Sequence, residues 1–514
     1  MSKKHIVAVI DLGSLSLRLK IFEIINREPP KEIESVRRFL ALGAETYRCG
    51  QISAAQISEL CEILSGFVLK MKEYKITDSV CVATSAFREA RNRDFVADQI
   101  HLRTGLKISV LDNAQERYYH NLAVKELMNG FEKIILNGTL ILDIGAGSIQ
   151  STVYDKSEFV FSQNMLLGSL RISELLSDLE KHTAHYSDVL EEYISHDLED
   201  YHAVEPKGIT YQSLIAFGSD IGFIKGLSGL SPREYCYLPK KKFLETYEYL
   251  LKTKPADLVL TRNIPSATAG LLLPTALIIK KNLDFTGLDG IYMPAASLCD
   301  GVMYQYAWDN FGYELKADPT QDTVCAARHI SKRYRYDKKH AEQVERHALA
   351  IFDSARRWHG LGERDRLLLQ LAAVLHEVGK YINVTNHSTR SYHIIHTTEI
   401  IGLDSDEREI VAYAARFYLQ SDLFSDRYFQ YLPAEQRIRV SKIAAILRVA
   451  DAMDASHKQK LKNVSVVSLP DALNINCDCD EDLTYELWAF ENKADLYQQV
   501  FGVTPVLKPR RQIQ

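Results

Sequence analysis

The stretch LILDIGAGSIQ, residues 140–150, ends an apolar run with one carboxylate, Asp143, and follows it with Gly145, Ala146, Gly147 and Ser148. IVAVIDLGSLS, residues 6–16, repeats the pattern with Asp11, Gly13 and Ser14. An apolar run of this length bounded by a glycine turn reads as a buried strand. Main-chain N–H groups can cradle a phosphate only where the backbone approaches it closely, which calls for Gly, Ala or Ser in the turn. A carboxylate at the strand end can hold a divalent cation beside those phosphates. The chain supplies both parts twice. The second copy ends in Gln150, an amide, which carries no charge.

Working outward, the strands expected at 6–12 and 17–24 are followed by a helix at about 52–73, with Leu60, Ile63, Leu64, Phe67 and Met71 on one face. SVCVAT (79–84) reads as a strand, FREARNRDFVADQIHLRTG (87–105) as the helix after it, and LKISVLD (106–112) as another strand. A helix capped at Asp112/Asn113 then runs to Gly130, and strand–turn–strand resumes at 140–154. Alternating strands and helices predict α/β architecture. From about 320 the texture becomes helical, as in HAEQVERHALAIFDSARRW and AEQRIRVSKIAAILRVADAMDAS. After about 460 strand signals return around one helix.

At 514 residues the chain should hold roughly three or four domains. A composition of 46% hydrophobic and 25% charged residues is that of a soluble globular protein. A net charge of −5 gives no general attraction for nucleic acid or anionic membranes, so an anionic substrate needs a local basic site. The eight cysteines form no CxxC pair; Cys477-Asp478-Cys479 fits neighbouring strand positions better than a zinc site. No signal peptide is legible, and the longest apolar run, 269–279, is too short to span a bilayer. A reducing, cytoplasmic location is expected. The basic clusters at 239–243, Lys280-Lys281 and 508–511 read as solvated faces.

Between the two turns, VATSAFREARN (82–92) places Thr84 and Ser85 at a strand end with Arg88 and Arg91 just inside a helix, a grouping suited to phosphate oxygens. Glu116 follows in the first turn of the next helix. The order DLGS, TSAxREAxN, an acid before a helix ending in AV, and DIGxGS resembles the exopolyphosphatase/guanosine pentaphosphate phosphohydrolase (Ppx/GppA) family over nearly the whole chain. The resemblance implies two actin-like (ribonuclease H-like) lobes of the acetate kinase–sugar kinase–actin superfamily at 1–125 and 126–312. It also implies an all-α HD-like domain at 320–458 and a small α/β domain at 459–514. It implies Glu116 as catalytic base, Mg²⁺ on Asp143 and Asp11, and phosphate contacts from Gly13, Ser14, Thr84, Ser85, Arg88, Gly145, Gly147, Ser148, Gly218 and Ser219. Polyphosphate or guanosine penta/tetraphosphate are the implied ligands, with neither nucleic acid nor membrane as partner, and a homodimer is the implied assembly.

The pattern breaks at four positions: Leu15 replaces an asparagine, Gln150 a glutamate, Asp220 enters the loop FGSDIG (217–222), and Cys299 replaces an arginine. The expectation is that metal and base chemistry survive while affinity or substrate choice has drifted. Polyphosphate hydrolysis, guanosine pentaphosphate hydrolysis and a non-catalytic polyphosphate- or alarmone-binding role are the readings carried forward. In the helical region, LLLQLAAVLHEVGKYIN (367–383) resembles HD phosphohydrolases, which implies a metal site of His347, His376, Glu377 and Asp451. Glu377 stands where an aspartate is usual, and a purely structural helical module is the favoured reading. His393 and His396, three apart, read as surface or core residues.

Overall fold

The computed structural model describes residues 4–183, 185–232, 234–419 and 423–511. The chain divides into two compact units, Met1–Pro319 and Thr320–Gln514. The two expected lobes are two sheets of the first unit.

The first sheet holds β1 (His5–Leu12), β2 (Ser16–Ile24), β3 (Lys31–Phe39), β4 (Asp78–Ala83) and β5 (Ile108–Val110), in the order β3-β2-β1-β4-β5. The second holds β6 (Gly138–Ile144), β7 (Ile149–Asp155), β8 (Glu158–Met165), β9 (Tyr211–Gly218), β10 (Cys236–Pro239) and β11 (Gly290–Met293), in the order β10-β11-β9-β6-β7-β8. The duplication foreseen from two short motifs extends to topology. In each sheet a central strand (β1 or β6) forms a tight antiparallel hairpin on one side and pairs parallel with a distant strand on the other. The register is equivalent too: Asp11 faces Arg18, and Asp143 faces Gln150. Both turns close identically, the Gly13 N–H donating to the Ser16 carbonyl at 3.1 Å and Gly145 to Ser148 at 3.0 Å. β1 and β6 are buried over nearly their full length because helices cover the sheets, which is why they read as apolar runs rather than alternating patterns.

Three local features differ from the sequence expectation. The helix expected over 87–105 is two helices, Ser85–Glu89 and Arg93–Thr104. The break lies where the Asn92 side chain accepts from the Ile52 N–H (3.1 Å) and donates to the Ile52 carbonyl (2.8 Å), reading that residue as a strand partner would. β3 was not foreseen: KEIESVRRF is polar and mostly exposed, as a charged edge strand is. β8 likewise extends the second hairpin into a meander beyond the expected 140–154 segment.

In the second unit, helices run from Pro319–Arg333 to Ala434–Ala452. A sheet of β12 (Lys462–Ser468), β13 (Ala472–Cys479) and β14 (Thr504–Arg511), ordered β12-β13-β14, follows with the helix Thr484–Phe501. Cys477 and Cys479 are buried, free thiols two apart on β13, as the strand reading requires. His393 and His396 are exposed on their helix. Among the described residues no helix is long and apolar enough to cross a membrane.

The helix Leu298–Phe311 packs on the helix Asn113–Leu127, which carries Glu116. Gly301 makes that approach possible, since a Cβ there would overlap the Tyr119 carbonyl. Gly301→Ala is therefore expected to force the helices apart and destabilise the unit by about 3 kcal/mol, the upper range for overpacking. Chemical denaturation of the two proteins checks this, with a difference below ~0.5 kcal/mol counting against tight packing at this point.

Candidate active site

One cavity of about 100 Å³ lies where the two hairpin turns meet. Asp11, Gly13, Ser14, Thr84, Ser85, Glu116, Asp143, Gly145, Gly147, Ser148, Gly218 and Ser219 all line it. These residues span more than two hundred positions of sequence, and their convergence follows from the parallel pairing of β1 with β4 and of β6 with β9. The two turns are in contact. Ser14 Oγ lies 2.8 Å from Ser85 Oγ and 2.6 Å from the Tyr47 hydroxyl, and a Cβ at Gly147 would overlap the Tyr47 and Ser85 hydroxyls. Arg171 clamps this junction. Its guanidinium lies over the Tyr47 ring (3.8 Å to the centroid), donates to the Gly147 carbonyl (2.7 Å) and pairs with Glu89 (2.6 Å).

Arg88 does not line the cavity. Its Nη1 donates to the Leu111 carbonyl at 2.6 Å and to Glu116 Oε2 at 3.0 Å. The residue expected on a phosphate instead holds the carboxylate expected to be the base. Glu116 is 8% exposed and borders the cavity.

Asp143 meets His120, whose Nδ1 lies 2.5 Å from Asp143 Oδ2. His120 is partly buried, which disfavours its charge, but Asp143, Glu116 and Asp11 outweigh that and raise it to about 9. The ring is therefore an imidazolium at neutral pH. Asp11 is the carboxylate left over: its Oδ1 is buried without a hydrogen-bond partner, and burial pushes its carboxyl up to about 6 despite Arg18 and His120 nearby. An orphaned carboxylate oxygen beside a second carboxylate fits a hard divalent cation such as Mg²⁺. Asp11 and Asp143 are the residues that would hold it, Asp143 sharing its charge with His120.

His120 and Arg18 were not singled out from sequence. His120 lies four residues after Glu116 and so on the same helix face, a usable signal. Arg18 lines the cavity from β2, seven residues after Asp11, as Gln150 lies seven after Asp143. The turn lobes thus differ in charge at equivalent positions, a guanidinium in one and an amide in the other. Both polar atoms of the Gln150 amide are buried without partners.

The other departures fall differently from expectation. Leu15 lines the cavity and packs on Ala146, Leu170 and Leu271, joining the two sheets by an apolar contact. Cys299 is fully buried in a core cluster with Val9 and Phe22 and is not part of the cavity lining, and its neighbour Asp300 forms a buried ion pair with Lys20 (2.8 Å). Asp220 is 1% exposed and outside the cavity lining, 3.5 Å from the Ser169 hydroxyl and 3.9 Å from Arg37.

The second unit gathers His340, His376, Glu377 and Asp451, with ligand atoms within 4.8 Å of one another. The first histidine of this cluster is His340, not His347. The two lie seven residues apart, two turns along the helix Lys338–Ser354, so sequence spacing did not distinguish them. His340 Nε2 lies 3.2 Å from Asp451 Oδ1, and its Nδ1 lies 2.9 Å from Asp454 Oδ2. His376 Nε2 and Glu377 Oε2 are buried without hydrogen-bond partners, so the set could accept a metal ion. Internal cations already sit on its carboxylates, Lys493 on Asp451 and Lys380 on Glu377. In two of the surface basic clusters, Lys240 and Lys280 both pair with Asp284.

A carboxylate at the end of β1 and another at the end of β6 thus border one cavity with two glycine turns and a third acid on a helix, in an actin-like fold. Among solved structures the chain is similar to a Ppx/GppA family member from Aquifex aeolicus (20% identity, 60% of this chain and 99% of that one, TM-score 0.50). It is also similar to an exopolyphosphatase from Cytophaga hutchinsonii (17%, 61% and 100%, TM-score 0.52). The profile of the Ppx/GppA phosphatase family matches residues 21–307, and that of Ppx/GppA phosphatase, domain III, matches 324–488. The chain belongs to the Ppx/GppA phosphatase family, whose members are phosphoanhydride hydrolases. Among curated relatives it is similar to the guanosine-5'-triphosphate,3'-diphosphate pyrophosphatase of Pseudoalteromonas translucida, at 23% identity over 97% of both chains. Exopolyphosphatase 1 of Mycobacterium leprae is 26% identical over 32% of this chain and 48% of its own length.

Asp220 yields a prediction about stability. Burial raises its carboxyl from 3.8 to about 6, partly offset by Arg37. Between those values the folded chain binds the extra proton, so stability falls as pH rises from about 4 to about 6. Asp220→Asn resembles the protonated form. It is expected to exceed wild type by on the order of 2–3 kcal/mol at pH 7 and to converge with it toward pH 4. Urea unfolding at both pH values checks the sign; a variant less stable at pH 7 would mean that the Arg37 pair outweighs burial.

Proposed function

We propose that the cleft of the first unit removes the terminal phosphoryl group of a linear oligophosphate by attack of water, with Glu116 as general base. The observation that carries this reading is the convergence of Glu116, Asp11 and Asp143 on two glycine turns in one small cavity. At about 100 Å³ it suits a terminal phosphoryl group and an attacking water, a water occupying ~30 Å³ in the liquid. Phosphoanhydride hydrolysis needs positioning and charge neutralisation more than covalent chemistry.

Each part has a role in that step. Arg88 holds one oxygen of Glu116 and sets the carboxylate's orientation. The water oxygen forms a bond to the terminal phosphorus, the bridging P–O bond breaks, and the water's proton passes to Glu116. Orthophosphate leaves, with a chain one unit shorter. Arg18 and the main chain of the two turns face the phosphate oxygens, and Leu15 and Ala146 exclude bulk water. Mg²⁺, when bound by Asp11 and Asp143, supplies charge neutralisation at the anhydride.

Inorganic polyphosphate is the substrate we assign first. Among the described residues, the aromatic rings lining the cavity are Phe217, 1% exposed, and His120, and neither offers an open face to a base. Guanosine pentaphosphate is the second reading, favoured by the relative named for that substrate, which matches over 97% of both chains. The cytoplasmic location and homodimer belong to the same proposal.

Phosphate release from both substrates with Mg²⁺ tests it. Glu116→Gln is expected to lower kcat by about 10²–10⁴-fold, the usual worth of a general base, with binding retained. Equal inertness of wild type and variant, with binding intact, would leave a polyphosphate- or alarmone-binding regulator. Activity that survives Glu116→Gln but is lost in His376→Ala would move the chemistry to the second unit.

A further inference from the structure

Arg37 stands on β3, in one cross-strand row with Arg18 and Asp11. Its guanidinium lies over the Phe39 ring, 4.6 Å from the centroid, and reaches both sheets of the first unit. Nε donates to the Ser16 hydroxyl at 2.8 Å, and Nη1 donates to the Ser219 carbonyl at 3.3 Å, 182 residues away. Both partners line the cleft cavity. Ser16 closes the turn after Asp11, its carbonyl accepting from Gly13. Ser219 follows Gly218, whose main chain lies so close to Ile144 that a Cβ would overlap the Ile144 carbonyl. Ile144 is the residue after Asp143. One side chain thus ties the turn after Asp11 to the loop packed on the end of the strand that carries Asp143.

The third arm of Arg37 is unfinished. Among the described residues Nη2 is buried without a hydrogen-bond partner, and so is the Asp220 Oδ1 nearest to it. The two atoms lie 3.9 Å apart. A hydrogen bond between charged groups spans about 2.8 Å, so they stand about 1 Å too far apart. A bridging water needs roughly 4.5 Å or more between the atoms it joins, so the gap is too narrow to hold one. Both groups are charged at neutral pH: burial lowers Arg37 only to about 10 and raises Asp220 only to about 6. Opposite charges buried just short of contact are costly, and such groups are kept where something completes them. Asp220 is one of the four departures from the family pattern, so the acid half of the pair is an addition to that pattern.

We propose, resting on the cleft reading above, that Arg37 and Asp220 form a latch between the two sheets that completes when an oligophosphate occupies the cleft. Oxygens of the terminal phosphoryl group bond to the main chain of turns from both sheets and draw them together by about 1 Å, the distance the pair lacks. Nη2 then meets Asp220 Oδ1, and the completed guanidinium fork holds Gly218 and Ser219 against the phosphate. Neither side chain touches the substrate; both are positioning residues. A carboxylate that costs stability in the empty cleft is thereby satisfied in the loaded one.

Calorimetric titration of inorganic tripolyphosphate, with Mg²⁺ at pH 7, into the full-length Glu116→Gln protein tests the latch through Asp220→Asn, Arg37→Gln and both changes together. Asp220→Asn is expected to raise Kd about tenfold, the lower worth of a hydrogen bond between charged groups. Arg37→Gln, which also releases Ser16 and Ser219, should raise it by at least as much. The double variant should match Arg37→Gln, because Asp220 acts only through Arg37. Asp220→Asn should lose this affinity while its urea midpoint rises above that of its parent, a combination that damage to the fold does not produce. Were Arg37 to bind phosphate directly, removing the negative charge beside it would tighten binding instead. Tighter or unchanged binding in Asp220→Asn, or a double variant weaker than Arg37→Gln, overturns the latch. Hydrolysis that survives Glu116→Gln removes the base reading alone, and the KM values of the same four proteins then carry the comparison.

Discussion

The contact of the Gly147 main chain with the hydroxyls of Ser14, Tyr47 and Ser85 governs the cleft. It brings the turn of one sheet onto the turn of the other, and no side chain larger than hydrogen fits at residue 147. With the turns held together, Asp11 and Asp143 border the same cavity from different sheets, and the helix carrying Glu116 closes the third side. Arg171 fastens the junction through the Gly147 carbonyl and the Tyr47 ring. Close approach of backbone is what a phosphate loop requires, so the packing constraint and the binding requirement are met by the same glycine.

Charge within the cleft is unevenly satisfied. Glu116 has Arg88, and Asp143 has the His120 imidazolium. Asp11 has a buried oxygen without a partner, and its raised carboxyl records the electrostatic cost. Buried unpaired groups are retained where a ligand completes them. The asymmetry of the duplication has the same character. Arg18 and Gln150 occupy equivalent register positions, so one lobe offers a fixed cation where the other offers an amide. Asp300, beside the lost arginine position, serves instead to tie its helix to Lys20 on β2.

Legibility varied with how local the signal was. Asp11, Asp143 and the glycines announced themselves because a strand ending in a carboxylate and a bare turn is a local pattern. Glu116 was legible through its place in the order of motifs. Arg88 was assigned to phosphate because a guanidinium near a helix start suits an anion, but its nearest carboxylate is Glu116, 28 residues away in sequence. Asp220 read as a departure from the family pattern in the loop after β9, and the fold turns it inward toward Arg37 and Ser169. His340 and His347 share a helix face two turns apart, so only the packing of Asp451 and Asp454 against that helix selects His340 for the cluster.

By itself, then, the sequence determined the strands on either side of the two turns, the stripped turns themselves and the change to helices near residue 320, because periodicity and backbone permissiveness act over a few residues. Tertiary structure alone decided which groups meet. It set His120 on Asp143, Arg88 on Glu116 and Arg18 opposite Asp11. Those pairings depend on strand register and helix packing between segments far apart in the chain, and charge and hydrogen-bond energies fall off over a few ångströms that no local pattern encodes.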